Sequence, residues 1–233
     1  MTKQEFIAAL REMADPSLEA YQKKIVSDTK YPMLCIRVPR MRALAKEAAK
    51  GEWREILEGC GWHTYEEVLT AGLITAYAKI PLEEKFSILE NTVIPRLDSW
   101  AMTDTIVPTL KIKEAELPRA WEFANRCLEE APEYTRRFGI VMMMDYFLTP
   151  EYIPQVAEKM TMLRDERYYV CMAAAWLLAE MGVHDCGRVM DILRSGVLDG
   201  FTHNMTIRKM RESYRISQDM KTAAAALKRK EAK

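Results

Sequence analysis

The apolar residues of this chain recur at spacings of three and four along almost its whole length, which is the period of amphipathic helices. Proline and glycine separate these periodic segments, and no segment shows the two-residue alternation of a half-buried strand. The pattern therefore predicts an all-α protein of about a dozen short helices. The predicted helices cover residues 5–13, 18–26, 38–50, 53–57, 65–78, 81–89, 101–110, 118–129, 133–147, 152–162, 166–181, 186–195, 204–214 and 218–227.

Four landmark residues recur at intervals of about 38 residues, which is close to the period of HEAT and armadillo repeats. They are Trp62, Trp100, Arg137 and Trp176, and each opens or lies in an apolar helix that follows another helix. Four landmarks can share a spacing by chance, but the order of helices and prolines agrees with the repeat. We therefore expect HEAT-like helical repeats that form a curved solenoid with a concave groove, as a single domain over residues 1–233.

Composition is that of a soluble globular protein, with 49% hydrophobic and 29% charged residues among 233. The longest apolar run, Val170–Ala179, is about half the length that spans a bilayer. The N-terminal segment carries an acid early and has no long apolar core, so it does not resemble a secretory signal. These features predict a cytoplasmic protein that does not enter membranes.

Cysteine and histidine residues give no metal-site pattern. The five cysteines are an odd number and contain no Cys-x-x-Cys pair, which argues against a disulfide framework and a zinc ribbon. We expect buried, reduced thiols. The three histidines are scattered, so the sequence predicts neither a metal nor a cofactor.

The formal net charge is zero, which speaks mildly against a dedicated nucleic-acid binder. The basic residues are nevertheless clustered, and a solenoid that places the clusters on one face would form a stripe for phosphates. The clusters are Arg37, Arg40 and Arg42; Arg136 and Arg137; Arg164 and Arg167; and Arg208, Lys209, Arg211 and Arg215.

One pair of residues, Trp100 and Asp104, has the spacing that places both side chains on one face of a helix. Ser99 is a good N-cap residue for that helix, and Asp98 is an acid near its positive end. A carboxylate beside an indole is either an ordinary solvated helix face or the floor of a pocket for a cation. The repeat favours the second interpretation, because it brings Arg137 and Trp176 to corresponding positions.

Six segments of the chain, in this order, are similar to one known family. They are Tyr21 with Lys23-Lys24, Leu34–Arg42, Ser99–Asp104, Arg136–Gly139, Ala175–Leu178 and Asn204–Arg215. Together they resemble the HEAT-like-repeat alkylpurine DNA glycosylases, the AlkD-like DNA alkylation repair proteins, and the resemblance runs nearly end to end. No single segment is specific for this family, but the order and spacing of the segments together are a fairly strong indication of it.

The resemblance implies hydrolysis of the N-glycosidic bond of cationic methylated purines, such as 3-methyladenine and 7-methylguanine, in duplex DNA without base flipping and without a cofactor. Asp104 would stabilise the oxocarbenium-like sugar and orient the water. Trp100 and Trp176 would flank the deoxyribose, and Arg137 would hold the lesion-strand phosphate. Tyr21 would close over the site. The expected DNA contacts are Tyr21, Arg37, Arg40, Arg42, Arg136, Arg167, Arg208 and Arg211, in a monomer.

Two other functions remain open from the sequence. One is a non-catalytic relative that binds distorted or branched DNA. The other is a protein-interaction solenoid, which the neutral net charge keeps open. Measuring DNA affinity at low salt distinguishes the protein-interaction solenoid from the DNA-binding functions, because phosphate contacts are strongest at low salt.

Overall fold

The computed structural model describes residues 1–230, and these residues form helices, turns and loops without any β-strand. The predicted all-α class is confirmed. The helices are α1 (Lys3–Glu12), α2 (Glu19–Ile25), α3 (Val38–Ala48), α4 (Trp53–Glu58), α5 (Tyr65–Tyr77), α6 (Leu82–Ile88), α7 (Trp100–Ile106), α8 (Leu117–Glu129), α9 (Glu133–Tyr146), α10 (Ile153–Met162), α11 (Tyr168–His184), α12 (Cys186–Ser195), α13 (Gly200–Glu212) and α14 (Gln218–Ala225).

The chain divides into two compact units, the first covering Met1–Ala120 and the second beginning at Trp121. In the first unit α5 is the central helix, with α3 packed on one side and α7 on the other. Every residue of α5 from Tyr65 to Ala76 is buried. Beyond its first turn the helix is predominantly apolar and carries no charged residue, which suits this buried position.

In the second unit the central helix is α11, which packs against α9 and α13 and also contacts α10 and α12. Its middle section is the small-residue run Ala173–Ala175, which is buried throughout. A close contact elsewhere in this unit needs a glycine, because a Cβ on Gly139 of α9 would stand 2.6 Å from the Ala124 carbonyl oxygen of α8. Small residues at these positions let the helix backbones approach.

Packed helix pairs in each unit are those of a helical repeat solenoid. The confirmed part of the repeat prediction is therefore this pairing of helices. The curved shape with its concave groove, and the single domain over residues 1–233, stay predictions; residues 231–233 lie outside the described part of the chain.

Several helix boundaries differ from the sequence prediction, and two of them show why. Helix α13 begins at Gly200, four residues before the predicted start, because the Asp199 carboxylate accepts a hydrogen bond from the Thr202 amide and caps the helix earlier. After α6 the chain continues through a π-helical turn, Leu89–Val93, where the prediction ended the helix. Side-chain caps and local changes of helix type do not follow from apolar periodicity alone.

The cysteines are free, and four of the five are buried as expected, while Cys186 is partly exposed.

Candidate active site

A cavity of about 740 Å³ in the first unit is lined by four of the predicted site residues. These are Tyr21 on α2, Arg37 at the start of α3, and Trp100 and Asp104 on α7. Trp100 and Asp104 are both partly exposed and stand one helical turn apart. The remaining lining is mostly apolar. An acid and an indole thus share one concave site.

The start of α7 is fixed by an acid from a distant part of the chain. Ser99 accepts a hydrogen bond from the Ala101 amide at 3.3 Å, the capping role predicted for it. The Asp28 carboxylate then accepts hydrogen bonds from the Ser99 hydroxyl at 3.0 Å and from the Trp100 amide at 2.9 Å. Asp28 therefore provides negative charge at the positive end of this helix and positions Trp100.

Asp98, which the sequence indicated as the acid of this helix end, bonds elsewhere. Its two oxygens accept hydrogen bonds from the Thr29 hydroxyl at 2.8 Å and from the Lys30 amide at 2.7 Å. The loop that contains Asp28 is thereby held in place by the residue that precedes Ser99. Asp28 in this loop thus bonds to the start of α7, and Asp98 next to the start of α7 bonds to the loop.

A second buried acid, Glu66 on α5, holds the loop that leads into α3. Its carboxylate accepts hydrogen bonds from the Leu34 amide at 2.8 Å and the Ile36 amide at 3.2 Å. Between them Cys35 adopts a left-handed conformation with φ of 62°, which is unfavourable for a residue with a Cβ. Burial raises the pKa of Glu66, although the backbone hydrogen bonds act in the opposite direction. Glu66 thus fixes the path of the chain just before Arg37.

Tyr65, the residue before Glu66, lines the same cavity and is 4% exposed. Burial, followed by the charges of four carboxylates, raises the pKa of its phenol. Those carboxylates are Glu66, Asp28, Asp98 and Asp104. The Tyr65 phenol therefore stays protonated at neutral pH, and several acidic side chains lie near it.

The other arginines predicted for this region take different positions. Arg40 is exposed, whereas Arg42 is partly buried and donates to the Thr105 carbonyl at 3.1 Å and the Thr109 hydroxyl at 2.5 Å. Arg42 thereby ties α3 to the segment that follows Asp104. Its observed contacts are internal rather than directed to solvent.

In the second unit, Arg137 on α9 is 4% exposed and donates a hydrogen bond to the Tyr169 carbonyl at 2.8 Å. Trp176 on α11 is partly exposed. Arg208 and Arg211 are exposed on α13, where Arg208 pairs with Glu212 at 3.0 Å.

Arg136 and Arg167, also in the second unit, converge on one carboxylate. The Asp165 side chain is 3% exposed and accepts hydrogen bonds from Arg136 at 2.8 Å and from Arg167 at 2.5 Å. Burial opposes its ionisation, but the hydrogen bonds from the two arginines and the charge of Arg167 outweigh burial and lower the pKa of Asp165 to about 2. Both arginines, predicted as DNA contacts, thus have an internal partner.

We expect Asp165→Asn to lower the free energy of unfolding at pH 7 by about 2 kcal/mol, because each unit of pKa depression is worth roughly 1.4 kcal/mol. The pKa of a free aspartate, 3.8, is lowered in the folded protein, so this stability is present above pH 3.8 and disappears as the pH falls towards 2. Urea unfolding of both proteins from pH 7 to pH 2.5 measures the difference. Asp191→Asn removes an exposed partner of Arg194 and serves as the control; equal losses in the two variants would contradict the prediction.

Sequence reasoning missed Asp28, Glu66 and Tyr65. The hydrogen-bond partners of Asp28 lie 71 and 72 residues away along the chain, and those of Glu66 lie 30 and 32 residues away. No local pattern indicates such pairs. For Tyr65 the only signal was its place at the start of an apolar helix.

Residues 1–230 contain no helix long and apolar enough to cross a membrane. In the same range, His, Cys, Asp and Glu side chains form no group of three or more that is arranged to hold a metal ion.

The family model for DNA alkylation repair enzymes matches residues 6–215 of this chain. A comparison with curated proteins finds no match. The matched range includes the cavity of the first unit and every predicted site residue of the second. It agrees with the family that the sequence resembled, and it supports a role in DNA repair with DNA as the substrate. The chain belongs to the DNA alkylation repair enzyme family.

Proposed function

We propose that this protein is a DNA glycosylase that hydrolyses the N-glycosidic bond of cationic alkylated purines, such as 3-methyladenine and 7-methylguanine, in duplex DNA without flipping the base. The observation that carries the proposal is the cavity that Trp100 and Asp104 share. Its lining combines the Asp104 carboxylate with the buried phenol of Tyr65. A carboxylate in this position suits a reaction that develops positive charge on the sugar.

The chemistry needs little acid assistance. In an N-alkylated purine the base already carries a positive charge, so the electron pair of the breaking bond between C1′ and the base nitrogen neutralises the leaving base. The deoxyribose is left as an oxocarbenium-like cation. Water adds to C1′ and releases one proton to Asp104 or to solvent. We assign Asp104 the stabilisation of that cation and the orientation of the water.

The aromatic residues have a complementary role. An indole face attracts a cation by about 0.5–2 kcal/mol, depending on how far the pair is desolvated. We assign Trp100 to the sugar and Tyr21, 65% exposed on α2, to the cover of the site. The contact of Trp176 with the deoxyribose, which the resemblance implies, stays a prediction. Arg137 is assigned to the lesion-strand phosphate. Because Arg137 is buried, the proposal depends on it less than on the other assigned residues.

A second candidate function is non-catalytic binding of distorted or branched DNA. The observation that favours it is the internal use of three arginines, Arg42, Arg136 and Arg167, together with a net charge of zero. A protein with fewer exposed basic side chains binds a regular duplex more weakly, because it contacts fewer phosphates.

The test incubates the wild-type protein with methylated duplex DNA and separates the released bases by chromatography. We expect free 3-methyladenine and 7-methylguanine above the spontaneous rate. If the protein binds the duplex but releases neither base, the glycosylase proposal is wrong and binding to branched DNA is the next measurement. If it binds no DNA even at low salt, the protein-interaction alternative applies.

A further inference from the structure

A second cavity of the first unit, with a volume of about 620 Å³, is lined by lysines. The lysines are Lys46, Lys79, Lys85, Lys111 and Lys113, and Glu116 is the acid in the lining. We refer to this site as the lysine cavity. Its residues come from separate segments: α3, the connection from α5 to α6, α6 itself, and the loop after α7. This cluster was not predictable from the sequence, because no two of these lysines are adjacent in the chain.

Local structural roles account for only part of this cluster. The Lys85 ammonium donates to the Ala76 carbonyl at 2.6 Å and so closes the C-terminal end of α5. The Lys46 ammonium lies over the Tyr77 ring, 5.3 Å from its centroid. Lys79 and Lys113 are exposed, and the structure gives their ammonium groups no such role. These two lysines have no evident structural role.

The lining of the lysine cavity has an excess of positive charge, with five lysines and one acid. Burial lowers the pKa of Lys85; the charge of Glu116 opposes this effect, and the charge of Lys113 adds to it. A concave site lined mainly by cations attracts an anion. The arrangement is typical of a binding site for phosphate groups.

Arg42 connects the lysine cavity to the cavity of Asp104. Thr109, whose hydroxyl accepts from Arg42, lines the lysine cavity, and Thr105, whose carbonyl accepts from Arg42, lines the other. Four residues of helix advance by roughly 6 Å, so these two contacts are about one turn apart. The two cavities are therefore neighbours within the first unit.

We propose that the lysine cavity binds backbone phosphates of the DNA strand that passes the Asp104 cavity. The inference rests on the proposed DNA substrate but not on base release. The lysine cavity supplies concentrated positive charge in the first unit, whereas three of the arginines expected to contact DNA, Arg42, Arg136 and Arg167, have internal partners. Lysine contacts of this kind add affinity without sequence preference.

The test compares the double variant Lys79→Gln/Lys113→Gln with the control Lys50→Gln/Lys228→Gln, which removes two exposed lysines outside the lysine cavity. The dissociation constant for a labelled, undamaged duplex is measured by fluorescence anisotropy over a range of KCl concentrations. We expect the cavity variant to bind roughly tenfold more weakly and its salt slope to fall by about 2, since each neutralised phosphate contributes about 0.9. The control should change by less than about twofold. Equal affinity and slope in the two double variants would overturn the proposal.

A second arm separates DNA from a small phosphate ligand. Thermal melting is recorded with inorganic phosphate for the wild type and both double variants. If only the cavity variant loses stabilisation by phosphate while its duplex affinity equals that of the control, the site takes a small anion and the assignment to DNA is overturned. If the cavity variant binds the duplex weakly and the wild type releases no methylated base, the glycosylase proposal fails and this inference stands.

Discussion

Asp104→Asn should slow the release of 7-methylguanine from duplex DNA by about a hundredfold to a thousandfold, the loss seen when a group that stabilises developing charge is removed. Asparagine keeps the size of the side chain and a dipole, but it carries no negative charge for the oxocarbenium-like sugar. The rate is measured in a single turnover with enzyme in excess. Affinity for the undamaged duplex should change by less than about twofold, because removing an acid does not weaken phosphate contacts.

The matched control for this variant is Asp219→Asn, which removes an exposed carboxylate from α14. It should keep the wild-type rate. If Asp104→Asn also keeps the wild-type rate while the wild type is active, Asp104 is not the anion of the reaction, and the acids around Tyr65 become the next candidates.

Glu66→Ala should lower the free energy of unfolding by about 2–4 kcal/mol, because it leaves two backbone donors, at Leu34 and Ile36, without their acceptor. The Glu66 side chain is fully buried, so water does not replace it easily. The loop also contains the left-handed Cys35, whose conformation needs support from its surroundings. Urea denaturation of the two proteins at pH 7 measures the difference.

Glu58→Ala, which removes an exposed acid at the end of α4, is the control and should cost less than about 0.5 kcal/mol. A similar small loss for Glu66→Ala would show that the loop before α3 does not depend on the buried carboxylate. Where the Glu66 variant remains folded, we also expect weaker DNA binding, since Arg37 follows this loop directly.

Much of the fold was predictable from the sequence because apolar periodicity and proline placement are local signals. The helix over 65–78 was predicted from its apolar residues and observed as α5, and Ser99 was recognised as a cap from its residue type. The start of α13 was missed because a single side chain, Asp199, decides it. Boundaries of this kind depend on one hydrogen bond rather than on a pattern.

For the candidate site, the sequence predicted what lies within one turn of helix. The spacing of Trp100 and Asp104 predicted that they share a helix face, and they line one cavity. The presence of Tyr21 at the site was expected only from the family resemblance, and Arg37 only as part of a basic cluster. The sequence did not predict which residues hold Trp100 and Asp104 there, because Asp28 reaches the start of α7 across more than two predicted helices. Charge patterns in the sequence were the least informative signal about which residues face DNA. Arg136 and Arg167 look like a phosphate stripe in sequence and converge on Asp165 in the structure.

The most direct test of the proposed function uses two duplexes that differ only in one base, 7-methylguanine in the first and hypoxanthine in the second. Single-turnover release by the wild-type protein is followed in both. The account predicts release of the cationic 7-methylguanine and retention of the neutral hypoxanthine, because Asp104 assists a bond that already breaks readily, whereas a neutral base needs protonation by a general acid, a role that the proposal assigns to no residue. Binding of both duplexes without release of 7-methylguanine would contradict it.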